Sequence, residues 1–468
     1  MHRIERDLIG EKEIPADADY GIHTARADEN FSVSSRTVHP ELIKALAVVK
    51  RAAAEANLQL GFIDEARGKA IIQAAAEIAA GERKEQFIVD ALQGGAGTST
   101  NMNMNEVIAN RAIEILGGQK GDYSRIHPIN HVNLSQSTND VYPTALRLAV
   151  LRLQRPLADA CAALHGALRE KEAQFDGVLK VGRTELQDAV PITLGQEFSA
   201  WAGAIARDRL RYLQAGERLR YVNLGGTAVG TGLNADRRYL LLVMERLRDL
   251  SGLDVLAMDD RVDGTQNADV FVEVSGLLKT NAASLVKLSS DLRLLSSGPR
   301  AGLAEIRIPP VQAGSTIMPG KVNPVMAEML TQAAYDVMGR DLAVTLAAQA
   351  GQLELNAFLP LIADSLLPAM ETLSRAMRLF AERCIRGITA DEGRCLHHLQ
   401  NSVSLIAALL PRLGYDQASA LAKQAIAQNR SIRVVLLESG AFSERELDEL
   451  LKPEELARPG LAKGRASS

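Results

Sequence analysis

Between residues 143 and 386 the chain repeats one pattern over and over: apolar side chains recur every three or four positions for about thirty residues at a time. Five such stretches stand out, at 143–174, 193–216, 267–297, 323–351 and 360–386. In the third, Phe271, Val274, Leu278, Leu285, Leu288, Leu292 and Leu295 follow one another at steps of three, four or seven, the seam of a coiled-coil-like helix. Helices this long exceed those of most globular domains. Aromatic residues make up only 4% of the chain while Ala and Leu abound, which favours close-packed helices over sheets. The pattern predicts an all-α fold around a central long five-helix bundle. One such bundle leaves apolar seams exposed, so it also predicts oligomerisation.

Shorter elements flank the bundle. Residues 1 to about 38 read as irregular and charged. Helices are expected from Pro40 to about Leu58, from Asp64 to Gly81, and from the Gly94–Gly97 loop to Gly117-Gly118. Thr193-Leu194-Gly195-Gln196 has the form of a capping box, and Pro156 should kink the first long helix. Beyond 391, Gly414-Tyr415-Asp416 and Ser443-Glu444-Arg445-Glu446 mark helix caps, and Ala457 to Ser468 reads as a mobile tail. Length alone suggests about three domains. We place them at 1–138, 139–390 and 391–468, the outer two small and helical.

Charge and cysteine content narrow the function classes. A net charge of −4 offers nothing to nucleic acid, and an anionic substrate needs locally placed cations. Cys161, Cys384 and Cys395 are too scattered for a disulfide framework or a zinc site, and read as buried thiols in a reducing compartment. The first residues lack the apolar core of a signal peptide, and no apolar run reaches the ~20 residues of a membrane span. A cytoplasmic protein without membrane partners is expected.

Four polar stretches punctuate the apolar chain. Gly97–Asn103 leads into a helix, Ser135–Asp140 precedes the first long helix, Gly182–Asp188 precedes the second, and Gly314–Pro324 precedes the fourth. Two glycines and two prolines forbid a regular helix in the last of these, and Pro324 is placed to open the helix that follows. Hydroxyls, a lysine, an amide and free backbone N–H groups at a helix N-terminus suit a carboxylate or another anion. A Walker A loop is excluded, because five residues separate Gly314 from Gly320 and Val322 follows the lysine. Helix capping accounts equally for any one stretch alone, as it does for His127-Pro128-Ile129-Asn130.

The run Gly314-Ser315-Thr316-Ile317-Met318-Pro319-Gly320-Lys321-Val322-Asn323-Pro324 resembles the Gly-Ser-Ser-x-Met-Pro-x-Lys-x-Asn-Pro signature of the aspartase/fumarase superfamily, with Thr316 for the second Ser. The segment Gly21–Phe31 and the other three polar stretches resemble that family too, over nearly the whole chain. The resemblance implies a three-domain fold whose central helices join a homotetrameric twenty-helix core, with each active site assembled from three subunits. It implies a small dicarboxylate or amino-acid substrate and no organic cofactor or metal ligand, leaving divalent-cation activation open. By the same resemblance Thr98, Ser137, Thr138, Thr184, Thr316, Lys321 and Asn323 bind substrate carboxylates, Asn139 contacts the departing amine, and Ser315 is the catalytic base. His127–Asn130 resembles a secondary anion-site region.

The implied reaction is elimination of ammonia from L-aspartate to leave fumarate. The Cβ–H is a very weak acid, so the adjacent carboxylate must take up charge as an aci-carboxylate, stabilised by hydroxyls and helix N-termini. A serine alkoxide becomes accessible only with cationic Lys321 nearby, N–H groups facing its oxygen and water excluded. Glu185 departs from the family's His or Gln. Where the family has His, it pairs with the Glu matching Glu328, so here two carboxylates would meet and an ammonium group would suit the gap. Either Glu185 binds the substrate amine or it is a solvated glutamate. His23 and Ser137-Thr138-Asn139 lean toward an amine substrate. Hydration of fumarate, a lyase reaction on a related amino acid, and a non-catalytic scaffold like a lens structural protein are the alternatives.

Overall fold

The structure, a computed structural model, describes residues 1–452, 456 and 457. Apart from Ala457, the expected tail lies outside the described residues. The chain forms two compact units from interleaved stretches: Met1–Asp159, Leu210–Ala282 and Tyr335–Ser374 in the first, and Ala160–Arg209, Ala283–Ala334 and the chain from Arg375 in the second.

The first unit opens with order where irregular chain was expected. Strands β1 (His2–Asp7) and β2 (Gly10–Pro15) pair antiparallel, with His2 opposite Pro15, and helix α1 spans Ile22–Asn30. Two buried carboxylates hold the start of α1. Glu5 accepts from the Ile22 N–H at 2.8 Å. Glu106 accepts from the N–H groups of Gly21, His23 and Thr24 and from the Thr24 hydroxyl. Glu106 lies more than eighty residues along the chain, so local sequence could not announce the helix.

Helices α2 (Pro40–Gln59), α3 (Glu65–Ala79) and α4 (Thr98–Ile115) follow where expected, capped at His39 and Asp64 for the first two. Helix α5 runs over Thr138–Gln174 and continues through Pro143 and Pro156. It therefore begins at Thr138 rather than 143, drawing the second polar stretch into its first turn.

In the second unit the stretch before the second long helix is not a loop. Strands β3 (Leu179–Thr184) and β4 (Gln187–Thr193) form an antiparallel hairpin, Leu179 opposite Thr193 and Thr184 opposite Gln187. Its two-residue turn, Glu185-Leu186, has φ of 53° and 61°, the twist that joins two strands tightly. A charge cluster that periodicity does not register fixes the hairpin. Lys180, 1% exposed, lies 2.7 Å from Glu197 and 3.1 Å from the fully buried Glu305, which Arg183 also meets at 2.8 Å.

Helix α6 (Leu194–Leu219) opens on the expected box: Gln196 N–H donates to Thr193 Oγ1 at 3.1 Å, and Thr193 N–H to Gln196 Oε1 at 3.0 Å. The pair β5 (Tyr221–Val222) and β6 (Leu256–Ala257), helix α7 (Arg237–Ser251) and helix α8 (Arg261–Gln266) lead to α9 (Asp269–Leu295). All seven seam residues of α9 named above are buried. Strand β7 (Ile306–Arg307), helices α10 (Val325–Gln349) and α11 (Leu359–Arg383) and strand β8 (Thr389–Ala390) come next.

Helices α12 (Glu392–Asn401), α13 (Leu410–Ala427), α14 (Ile432–Glu438) and α15 (Glu444–Leu450) close the described chain around Leu405, Leu409, Val435, Leu436 and Phe442. Gly414 breaks α13 at φ 70°, and Ser443 with Glu446 completes the capping box of α15. The three cysteines are buried free thiols, and burial pushes each up to about 12. No helix among the described residues is long and apolar enough to cross a membrane.

Candidate active site

The sequence-predicted residues divide between the two units. In the first, Thr98 is the opening residue of α4, and its hydroxyl donates to the Gly95 carbonyl at 2.6 Å. Gly97 just before it has φ 92°, and a Cβ there would lie 2.3 Å from the Tyr142 ring, so only glycine admits this turn.

Ser137 caps α5. Its oxygen accepts from the Asn139 N–H at 3.2 Å, and Asp140 Oδ1 accepts from the Ser137 N–H at 2.9 Å. Capping is thus one role of this stretch, yet the Ser137 O–H is left to donate elsewhere. Thr138 Oγ1 accepts from Asn101 Nδ2 at 2.9 Å. Asn139 Nδ2 donates to the Ala228 carbonyl at 2.8 Å, while its own carbonyl accepts from Asn223 Nδ2 at 3.0 Å.

Beneath this turn lie groups that sequence reasoning missed. Asp140 is wholly buried, and its second oxygen accepts from the N–H groups of Gly225 and Thr227, pinning the Gly225–Gly232 loop. Burial pushes its carboxyl up to about 6, against those backbone donors and Lys50. Lys50, also wholly buried, is pushed down to about 7 by burial, with Asp140 pulling the other way. Four glycines in eight residues could have flagged the loop; a single lysine on the apolar face of α2 could have flagged Lys50. At His127, capping is what the structure contains: Nδ1 accepts from the Ile129 and Asn130 N–H groups at 3.0 and 3.2 Å.

The second unit holds the rest. Ser315 Oγ accepts from the Ile317 N–H at 3.2 Å and the Met318 N–H at 3.0 Å. Asn323 Nδ2 donates to the Gly314 carbonyl at 2.6 Å, closing the loop on itself. The chain passes so near that a Cβ on Gly314 would sit 2.1 Å from the Lys321 carbonyl oxygen. A cleft of about 430 Å³ opens here, lined by Gly314, Ser315, Met318, Gly320 and Lys321 among others.

Thr316 and Lys321 are exposed, as are the apolar side chains of Ile317, Met318 and Val322. Pro324 stands just outside α10 rather than within its first turn, and its carbonyl accepts from the Ala327 and Glu328 N–H groups. Thr184 and Glu185 sit exposed at the tip of the β3–β4 hairpin. Glu185 makes no hydrogen bond or ion pair among the described residues. Glu328 lies 3.9 Å from the cation Arg293.

A carboxyl-anion chemistry is what both sets suit: hydroxyls, amides and helix N-termini in the first, and a serine oxygen facing N–H groups beside a lysine-bearing loop in the second. Comparison with known proteins agrees. Residues 10–339 match the family described as Lyase, and residues 405–458 the one described as Fumarase C C-terminus. The chain is 50% identical over 468 residues to an aspartate ammonia-lyase of Pseudomonas aeruginosa, covering 99% of this chain and 98% of that one.

Among solved structures, fumarate lyase:delta crystallin from Brucella melitensis bound to cobalt is 49% identical, with a TM-score of 0.96 over 98% of this chain and 100% of that one. Class II fumarase from Schistosoma mansoni is 34% identical, with a TM-score of 0.94 over the same shares. The chain belongs to the lyase family of the aspartase/fumarase superfamily.

Proposed function

We propose that the chain is a carbon–nitrogen lyase that converts L-aspartate reversibly to fumarate and ammonium, working in the cytoplasm without an organic cofactor. Its end-to-end likeness to an aspartate ammonia-lyase supports the substrate. Within the structure the observation that carries the chemistry is the Ser315 oxygen, held by two backbone N–H groups in a loop that also bears Lys321. N–H dipoles aimed at an oxygen stabilise its alkoxide, the form needed to take the Cβ proton. Thr98, Ser137, Thr138, Thr184, Thr316, Lys321 and Asn323 hold the carboxylates, one of which accumulates charge as the aci-carboxylate. Asn139 and Glu185 face the amine, which leaves from the opposite side to the proton.

The working form is a homotetramer whose sites combine stretches of three subunits. An apolar stripe on α10 supports association: Tyr335, Leu342 and Leu346 are exposed at helical spacing, by 58%, 60% and 50%. The test is fumarate formation by the purified protein from L-aspartate and, separately, from L-malate. Product from aspartate alone is the expected result. Product from malate alone overturns the substrate and makes the enzyme a hydratase.

A further inference from the structure

We propose that Lys50, buried in α2, is a positioning residue that turns the Thr138 hydroxyl outward to donate to a substrate carboxylate. The proposal rests on the carboxylate-binding role given to Thr138 above. It follows from donor and acceptor polarity alone. The ammonium form of lysine carries donors and no acceptor, and the groups that face Lys50 Nζ are the oxygens this form requires. Lys50 Nζ lies 2.8 Å from Asn133 Oδ1 and 2.9 Å from Gln136 Oε1. Both amides are thereby oriented, and their nitrogens find carbonyls: Asn133 Nδ2 donates to Gln136, and Gln136 Nε2 to Val132 and Leu134.

The orientation then propagates. Asn133 Oδ1 can face only donors, and Asn101 Nδ2 meets it at 3.2 Å. The same Nδ2 donates to Thr138 Oγ1 at 2.9 Å. An oxygen already receiving a hydrogen directs its own proton elsewhere. Thr138 thus keeps its O–H for an acceptor outside the network. The arrangement has a cost that marks it as imposed: Asn101 Oδ1 is buried without a hydrogen-bond partner. Asn101, Thr138 and Lys50 are 2%, 9% and 0% exposed, so bulk water does not set these orientations. Without the lysine, Asn133 keeps only the longer contacts, from Asn105 Nδ2 at 3.2 Å and to the Gln136 carbonyl at 3.2 Å, so its hold on Asn101 loosens and the Thr138 proton can turn inward.

The test is a double-mutant cycle on the full-length protein, read by calorimetric affinity for succinate, a dicarboxylate that cannot react, and by KM for L-aspartate. Lys50→Met and Thr138→Val should each weaken succinate binding about tenfold, as expected for losing one hydrogen bond to a charged group. The double variant should be no weaker than Thr138→Val by more than about twofold, because both changes remove the same donor. Losses that multiply in the double variant overturn the proposal, as does a silent Lys50→Met.

If Lys50→Met fails to fold, Asn101→Leu replaces it in the cycle with the same expectation, since it removes the relay's donor and leaves the lysine paired. The succinate readout separates this proposal from the assigned reaction. A wild type that binds succinate but leaves aspartate unchanged refutes the reaction alone. Failure of the wild type to bind succinate refutes this proposal, while fumarate formation from L-aspartate still decides the reaction.

Discussion

The Met318 N–H points at Ser315 Oγ across 3.0 Å, and the Ile317 N–H reaches the same oxygen at 3.2 Å. The loop therefore presents a hydroxyl whose deprotonated form is already solvated by the backbone. If Ser315 is the base, Ser315→Ala should lower kcat by about a thousandfold or more, the scale of general-base catalysis. Affinity for succinate should change by less than about twofold, because the carboxylate-binding groups remain. Steady-state kinetics and calorimetry check the two halves; a variant retaining most of its kcat removes Ser315 from the mechanism.

Glu185 occupies a hairpin turn in solvent, with no partner among the described residues. Glu185→Gln should leave the unfolding temperature unchanged and raise KM for L-aspartate about fivefold, the worth of one exposed ion pair. Affinity for succinate, which has no amine, should stay the same. An unchanged KM would return Glu185 to the status of a solvated glutamate.

Two glycines separate structural from catalytic demands. Gly97→Ala forces a side chain into the Tyr142 ring at positive φ within the core of the first unit. We expect a loss of about 2–4 kcal/mol in denaturant unfolding. Gly314→Ala instead crowds the Lys321 carbonyl in an open loop. There we expect stability to hold within about 0.5 kcal/mol while kcat falls at least about tenfold. Equal stability losses in the two variants would contradict the contrast.

Glu106 gives stability a pH dependence. It is 2% exposed, and burial pushes its carboxyl up to about 7, against the four donors at the start of α1. From its ordinary value near 4.5 up to about 7, the unfolded chain has released a proton that the folded chain keeps. Unfolding then releases a proton, so stability falls as pH rises through this window, by at most about 1.4 kcal/mol per pH unit, and levels off above it. Glu106→Gln should remove that component. Urea unfolding of both proteins between about pH 5 and about pH 8 measures the slopes, and identical slopes would refute the assignment.

Much of the fold could be read directly. Phe271 to Leu295 declare their seam because a helix repeats its buried face every 3.6 residues, and the expected caps at Thr193 and Ser443 formed because capping is settled within four residues. The β3–β4 hairpin escaped because its stability comes from Lys180 and Arg183 meeting Glu305 more than a hundred residues away. Helix α1 escaped for the same cause, its anchor being Glu106.

The candidate site divides along the same line. Sequence alone determined its chemical inventory, since Ser315, Lys321, Asn323 and the Ser137-Thr138-Asn139 turn are adjacent in the chain and carry their donors with them. Only the tertiary structure decided how those donors are aimed. Met318 and Ile317 face Ser315 because of the loop's backbone path, and Thr138 is oriented by Asn101, Asn133 and Lys50, from three separate segments. Hydrogen-bond direction is a property of neighbours in space. The type of a residue is written in the chain, but which way its proton points depends on what folding brings beside it.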